Sequence, residues 1–424
     1  MVLHMPSKPR ILVVGSGFAG ISAYTTLVKK SAGNASITLI SESLFFAHIP
    51  LIHEVAAGTI QPELVYWPVT DYVKCPKEGF MHARVLSVDG DAKTVLVLRI
   101  DGEEEAIPYD YLVLAGGSKA NTFGTRGARE YAMPFRTLHH AEHIRNRILD
   151  ACVKAESTKD GARRKELLSF ILIGGGATGI ELAGELAQMI TVDLACQYPT
   201  LRHLMSLTII ERADGLLKER DPWFGKHVEK VFRASGLISI LYGRNVTEVK
   251  ENGVQTDKEF VPGRNIIWTG GAKATDIPVT SKEAFPKEER MGRVKVTPFL
   301  STEAYPEIFV AGDQAFVLRE DGTAYGMRAQ FAVRQGRTAG ENIIRALHGE
   351  EQHPFVWKER GYILTIGKGQ AIAEIGGFRF TGLFAWIICH AVYIQSIVGP
   401  LMRLKSTWYW TKHFLKKRNV CRLG

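Results

Sequence analysis

Two stretches decide the fold: Arg10-Ile11-Leu12-Val13-Val14-Gly15-Ser16-Gly17-Phe18-Ala19-Gly20, and Phe170-Ile171-Leu172-Ile173-Gly174-Gly175-Gly176-Ala177-Thr178-Gly179. Each is a short apolar run, read as a buried strand, that ends in glycines and passes into a helical run, Ile21–Lys30 in the first and Gly179–Ile190 in the second. In a strand–glycine–helix turn of this spacing the first glycine makes the tight turn. The second lets backbone approach a pyrophosphate, and the third lets helix and strand pack closely. The free N–H groups and dipole of the helix N-terminus then hold the phosphates. An acidic residue is expected about 20 residues on, for the ribose hydroxyls. Glu42 stands 22 residues beyond Gly20, after the strand Ile37–Ile40, and Glu211 stands 32 beyond Gly179, after Leu207–Glu211. The longer second gap is assigned to an insertion around Thr191–Met205. The repeat implies two nucleotide-binding units, and therefore a doubly wound α/β chain.

Working outward, Arg84–Val88, Val95–Ile100 and Tyr111–Ala115 read as strands, and Lys154–Glu166 as a charged helix end plus loop. The segment Ile308-Phe309-Val310-Ala311-Gly312-Asp313 is a third strand with a Gly-Asp end, ahead of the helix Gln330–Leu347. A carboxylate at such a strand end can accept hydrogen bonds from the hydroxyls of a flavin ribityl chain. Two dinucleotide sites in one chain then point to hydride relay between a nicotinamide nucleotide and FAD. Glu211 would chelate a ribose diol and repel a 2′-phosphate, which favours NADH over NADPH, with Arg212 beside it working the other way.

At 424 residues the chain is long enough for two or three domains, and 46% hydrophobic with 23% charged residues is ordinary globular composition. Cys75, Cys152, Cys196, Cys389 and Cys421 are scattered and never spaced as C-x-x-C, which gives no metal site or dithiol and fits a reducing compartment. Met1–Arg10 has no apolar core of the kind a cleaved secretory signal needs. The net charge of +9 is local: no acidic residue follows Glu374, while Arg379, Arg403, Lys405, Lys412, Lys416, Lys417, Arg418 and Arg422 do. A basic tail on a near-neutral body is no general nucleic-acid surface.

The sequence resembles the type II NADH:quinone oxidoreductases, single-subunit NADH dehydrogenases that pump no protons, within the flavoproteins with two dinucleotide-binding domains. The likeness runs through Pro50-Leu51-Ile52-His53-Glu54-Val55-Ala56-Ala57-Gly58, Ala115-Gly116-Gly117-Ser118, Asn121-Thr122-Phe123-Gly124 and Gly174–Gly179 with Glu181. It continues through Trp268-Thr269-Gly270-Gly271, Ala311-Gly312-Asp313, Ala329-Gln330-Phe331-Ala332 and Thr381-Gly382-Leu383-Phe384-Ala385-Trp386. The resemblance implies FAD at Gly15, Gly17, Ala19, Gly20, Glu42, Val85, Ala115, Gly116, Gly312, Asp313, Ala329 and Gln330. It implies NADH at Gly174, Gly176, Ala177, Thr178, Gly179, Glu181, Glu211, Gly270 and Gly271. A quinone site follows at Gln330, Phe331, Arg334 and Thr381. Glu181 lies, by the same likeness, where nicotinamide and flavin meet, and Gln330 beside the flavin; these two are the expected catalytic residues. Three positions depart from the family: Ser41-Glu42 where an Asp is common, Arg334 where a second Gln is usual, and Thr381 where many members have Lys.

The implied division is an FAD domain over 1–120 and 290–350, an NADH domain over 121–289, and a membrane-associating segment over 351–424. Phe380–Met402 carries no formal charge over 23 residues but contains Gly382, His390, Gln395, Gly399 and Pro400. From Met402, Leu404, Trp408, Thr411 and Leu415 recur at helical spacing, with Lys412, Lys416 and Lys417 on other sides. Trp386, Tyr393, Trp408, Tyr409 and Trp410 suit a lipid headgroup boundary. The tail is therefore expected to lie in the membrane surface. The resemblance puts the protein on the cytoplasmic face of the cell membrane, or on the inner mitochondrial membrane in a eukaryote, with a homodimer possible and no nucleic-acid partner. Two other readings compete: a sulfide:quinone oxidoreductase or another FAD/NAD(P)H reductase, and a binding flavoprotein resembling apoptosis-inducing factor.

Overall fold

The computed structural model describes residues 8–73, 79–359, 361–396 and 400–414. In chain order, the elements that position the sites begin with β1 (Arg10–Val14), α1 (Phe18–Ser31), β2 (Ser36–Ser41) and α2 (Ile52–Ala56). Next come β3 (Phe80–Asp89), β4 (Thr94–Arg99), β5 (Glu104–Pro108), β6 (Tyr111–Leu114), β7 (Ala132–Pro134) and α3 (Leu138–Ser157). They continue with β8 (Ser169–Ile173), α4 (Ala177–Gln188), β9 (Ser206–Glu211), β10 (Ile238–Tyr242), β11 (Asn265–Trp268), β12 (Ile308–Val310) and α5 (Ala329–Leu347). The last are β13 (Gly361–Thr365), β14 (Ala371–Ile375), β15 (Phe378–Thr381), α6 (Gly382–Ser396) and α7 (Pro400–Phe414).

The chain divides into two compact units, residues 1–47, 67–119 and 272–358, and residues 48–66, 120–271 and 359–424. The observed division differs from the expected one in three places. Residues 48–66 and 359–424 cluster with the second unit, and 272–289, with 351–358, cluster with the first. The physical reason for the first shift is apolar: Leu51, Ile52, Val55, Ala56, Ile60 and Val65 share one core with Ile144, Ile148, Ile180, Leu182 and Leu186. Short-range glycine motifs do not report such long-range packing.

The first unit is built on a seven-stranded sheet in the order β12-β6-β1-β2-β3-β4-β5, in which β12, β6, β1, β2 and the start of β3 run parallel. Fully buried Ile11, Val13, Leu112, Val113, Ile308 and Phe309 mark its core, the apolar pattern expected where helices cover a parallel sheet. Helices α1 and α5 cross at close range because α5 presents glycine: a Cβ on Gly336 would lie 2.1 Å from the Ala19 carbonyl oxygen. The second unit holds a five-stranded parallel sheet, β7-β11-β8-β9-β10, again rich in buried Ile and Leu. Its last part is the antiparallel sheet β13-β14-β15, on which α6 lies through Ala385, Trp386 and Cys389 against Ala371 and Ala373. Lys154–Glu166 is more helical than expected: α3 runs through Lys154 to Ser157, and a further short helix covers Gly161–Leu167.

Candidate functional site

In the first unit β1 ends at a turn whose glycines each do a separate job. Gly15 has φ +99°, and a Cβ there would sit 2.3 Å from the Ala115 carbonyl oxygen. A Cβ on Gly20 would meet the Gly15 oxygen at 1.7 Å, so this glycine sets the approach of helix to strand. Above Gly17 there is nothing within 4 Å. Gly17 is also the N-cap of α1, with no side-chain capping bond and no acid in the first turn. The result is an open pocket of uncapped N–H groups at the positive end of a helix, the arrangement a pyrophosphate needs. Around it, Ser118 donates to Asp313, Gln314 Oε1 accepts from the Gly116 N–H at 2.5 Å, and Gln335 Oε1 accepts from the Gly312 N–H at 2.7 Å. Gln314 and Gln335 are both buried. Sequence reading passed over them as site residues, although two glutamines flanking glycine-rich turns are a usable signal. Glu42 is exposed just past β2, Val85 faces Val97 beside a bulge in β3, and Ala19, Ala115, Ala311 and Ala332 form a small apolar cluster.

The second unit repeats the device. Gly174 has φ +114°, a Cβ on Gly179 would meet the Gly174 oxygen at 2.0 Å, and nothing lies within 4 Å of a Cβ on Gly176. Gly176 is the uncapped N-cap of α4, which has no acid in its first turn. Glu211, at the end of β9, reaches back to the turn: Oε2 accepts from the Gly175 N–H at 2.5 Å and Oε1 from the Ala213 N–H at 2.7 Å. It thus braces the glycine loop as well as standing where a ribose is expected. On the far side, Thr269 donates to the Ile173 oxygen at 2.9 Å, and the Trp268 indole donates to the Gly270 oxygen at 2.7 Å. The two glycine turns are thus the same object built twice, each on a parallel sheet.

Comparison with known proteins agrees with that geometry. The family model for pyridine nucleotide-disulphide oxidoreductases matches residues 9–336. The chain belongs to that family. Among curated members it is 28% identical over 427 residues to the type II NADH:quinone oxidoreductase Ndh of Mycobacterium tuberculosis, covering 97% of this chain and 89% of that protein. It is 27% identical to the type II NADH:quinone oxidoreductase of Staphylococcus saprophyticus, over 88% of this chain and 92% of that one. A structure of NDH2 from Plasmodium falciparum in complex with NADH has the same fold, with TM-score 0.87 at 20% identity over 98% of this chain and all of that one.

Within this family member, Glu181 is not where a capping acid would be. It lies in the second turn of α4, partly buried, with its Oε1 accepting from the Tyr393 hydroxyl at 3.1 Å and Oε2 4.0 Å from His53 Nδ1. Burial pushes its carboxyl above the ordinary value, against the pull of His53. In the first unit Gln330 is exposed at the start of α5, and Arg334 is exposed one turn on. Phe331 differs from expectation: it is 2% exposed, packed between Tyr325 and Trp357 at centroid distances of 5.2 and 5.1 Å. It anchors the helix start rather than lining an open surface. Thr381, at the end of β15 in the second unit, is exposed.

The cysteines are settled where they are described. Cys152 and Cys389 are buried and unpaired, each with its thiol pushed up to about 12 by burial, and Cys196 is exposed and unpaired; Cys75 and Cys421 lie outside the described residues. No cluster of His, Cys, Asp or Glu suited to a metal occurs among the described residues.

Proposed function

We propose that the protein is a type II NADH:quinone oxidoreductase that uses FAD: NADH + H⁺ + quinone gives NAD⁺ + quinol. The observation that carries this reading is the doubled glycine cradle, Gly15–Gly20 and Gly174–Gly179, each open at its middle glycine and uncapped at its helix. The curated relatives bear the same activity in their names over nearly the whole chain. FAD, held by the first cradle with Asp313, Ala115, Gly116 and Ala329, would supply the two-electron chemistry between NADH and quinone. NADH would lie on the second cradle with its ribose at Glu211, its nicotinamide toward Glu181, and Gly270 and Gly271 closing the far side. Gln330, Arg334 and Thr381 are the side chains assigned to the quinone. The sulfide:quinone alternative requires a reactive thiol pair. Cys152 and Cys389 are buried and unpaired with raised thiols, which disfavours it.

The same reading places the protein peripherally on a membrane, on the cytoplasmic side. No helix among the described residues is long and apolar enough to cross a bilayer. Within Phe380–Met402 the described residues are the end of β15, α6 and the start of α7, and residues 397–399 lie outside the description. Leu383, Phe384, Ile387 and Leu404 are exposed, and Trp408 is 71% exposed, beside exposed Arg403, Lys405 and Lys412. An apolar face bordered by cations fits an anionic lipid surface. Leu415, Lys416 and Lys417 lie outside the described residues. Turnover of NADH with a short-chain quinone, set against sulfide as donor, tests the catalytic reading; flotation with anionic liposomes tests the membrane reading.

A further inference from the structure

The charged stretch at the end of α3 has no part in either glycine cradle, yet it helps to build a pocket of its own. Arg147, Asp150 and Lys154 stand at helical spacing on one face of α3, while Ile144, Ile148, Cys152 and Ala155 are buried in the unit's core. Arg163 of the short helix Gly161–Leu167, with Arg264 and Asn265 where β11 begins, completes the wall of a pocket of about 80 Å³. About 10–15 Å³ is enough for one water, so a tetrahedral oxyanion fits. The walls are pinned to one another. Arg164 Nε donates to the carbonyl oxygens of Ala155 at 3.0 Å and Thr158 at 2.6 Å, which ties the short helix to α3. Asn265, 1% exposed, donates through Nδ2 to the Leu167 oxygen at 2.7 Å and accepts through Oδ1 from Arg147 Nε at 3.2 Å. A buried amide thus orients the Arg147 guanidinium.

Four cations and one acid line this wall. Glu166 accepts from Arg163 Nη1 at 2.7 Å and from Arg264 Nε at 2.5 Å, and Glu251 lies 3.0 Å from Arg264 Nη1. Arg147 and the exposed Lys154 form no ion pair among the described residues. Cations gathered around a concavity focus a positive field on it. Guanidinium forks match the oxygens of a phosphate, and a lysine adds a point charge. We propose that this pocket binds the phosphate group of a small soluble phosphorylated molecule, at a site separate from the glycine cradle of the same unit. The neighbouring strands β8 and β11 run parallel, with Asn265 beside Phe170 and Trp268 beside Ile173. The pocket lies at their starts, whereas Gly174 and Gly270 follow their ends. Four to five residues of strand, at about 3.3 Å each, put roughly 15 Å between the two sites, so a phosphate here leaves the cradle open. Asp150, Glu166 and Glu251 offset much of the positive charge, which makes the binding modest and sets the range of the test.

The test is thermal denaturation of the full-length, FAD-loaded protein in inorganic phosphate up to about 10 mM, with ionic strength held constant by chloride. Wild type gains stability saturably, by about 2–4 °C at ten times the Kd, and glycerol 3-phosphate reproduces the effect. Arg147→Gln with Lys154→Gln removes the two cations that have no acid partner, and the saturable rise is lost. Should that double variant fail to fold, Lys154→Gln alone, at an exposed position, raises the Kd about threefold. A rise of equal size in wild type and double variant puts the phosphate elsewhere and overturns the proposal, as does a wild type with no saturable rise over the whole range. Flotation with vesicles separates a lipid headgroup from a free phosphate. If the double variant loses binding to phosphatidic-acid vesicles but not to phosphatidylglycerol vesicles, the pocket takes a headgroup and the soluble ligand is overturned; equal binding of the two proteins to both vesicles supports it.

Discussion

Replacing Gly17 by Ala is the perturbation that separates a nucleotide cradle from a glycine-rich turn. A methyl at Gly17 meets nothing within 4 Å of the protein itself, whereas a methyl at Gly20 meets the Gly15 oxygen at 1.7 Å. Gly17 has φ −79°, which alanine adopts freely, so its cost to the fold is only that of Ala at an N-cap, about 1 kcal/mol. Gly20→Ala is an overpacking change against backbone and costs about 1–3 kcal/mol or more. With FAD removed, Gly17→Ala therefore melts within about 2–4 °C of wild type, and Gly20→Ala lower. With FAD the order changes in kind. The Gly17 methyl occupies the space into which a pyrophosphate must come. A penalty of about 1–3 kcal/mol there raises the Kd for FAD about 5- to 150-fold, at 1.4 kcal/mol per decade. Differential scanning fluorimetry of the apoprotein and titration by flavin fluorescence quenching read the two effects. A raised FAD Kd in Gly17→Ala cannot be laid to a fold defect, because the methyl meets no protein atom, and an unchanged Kd refutes the cradle.

Three further outcomes follow from the same geometry. Wild type prefers NADH over NADPH in kcat/KM, and Glu211→Ala narrows the gap; because Glu211 also braces Gly175 and Ala213, KM for NADH rises as well, and equal kcat/KM for the two nucleotides in wild type defeats the assignment. Gln330→Ala, at an exposed position, retains FAD and slows quinone-dependent reoxidation in stopped flow more than reduction by NADH, and two unaltered half-reactions contradict it. Deletion from Lys405 frees the protein from anionic liposomes but also lowers its melting temperature, since it strips Tyr409 and Trp410 from the second unit's core and from His390; a truncated protein as stable as wild type shows that α7 is only an anchor.

The two glycine cradles could be read from sequence because each is local. Strand, glycine spacing, helix and acid occur within a few dozen residues, and the steric demand at Gly20 comes from Gly15 in the same turn, whereas the one at Gly15 comes from Ala115, distant in sequence at the end of the paired strand β6. Glu211 was found for the same reason, as the end of a strand that pairs directly with the one before the glycines. The buried Glu54–His390 contact of the second unit, 2.5 Å from Oε1 to Nε2, could not be found that way. Its partners are 336 positions apart, and His390 reads in sequence as a polar interruption of an apolar stretch. The tail was half legible: its exposed apolar row and cations were visible as periodicity, but periodicity assigns Trp408 and Trp410 alike to an interface, whereas Trp408 is exposed and Trp410 stacks on a buried imidazole. Phe331 shows the same limit in the first unit, where an aromatic residue beside Gln330 turned out to be core.

In the proposed reaction, electrons enter from NADH at one cradle and leave the flavin to a quinone. It is tested most directly by mixing the anaerobic, FAD-loaded protein with one equivalent of NADH and then with a short-chain quinone, while following flavin absorbance. The yellow absorbance bleaches on NADH and returns on quinone, with one quinol formed per NADH consumed. A flavin that NADH leaves oxidised, or that stays reduced in the presence of quinone, contradicts it.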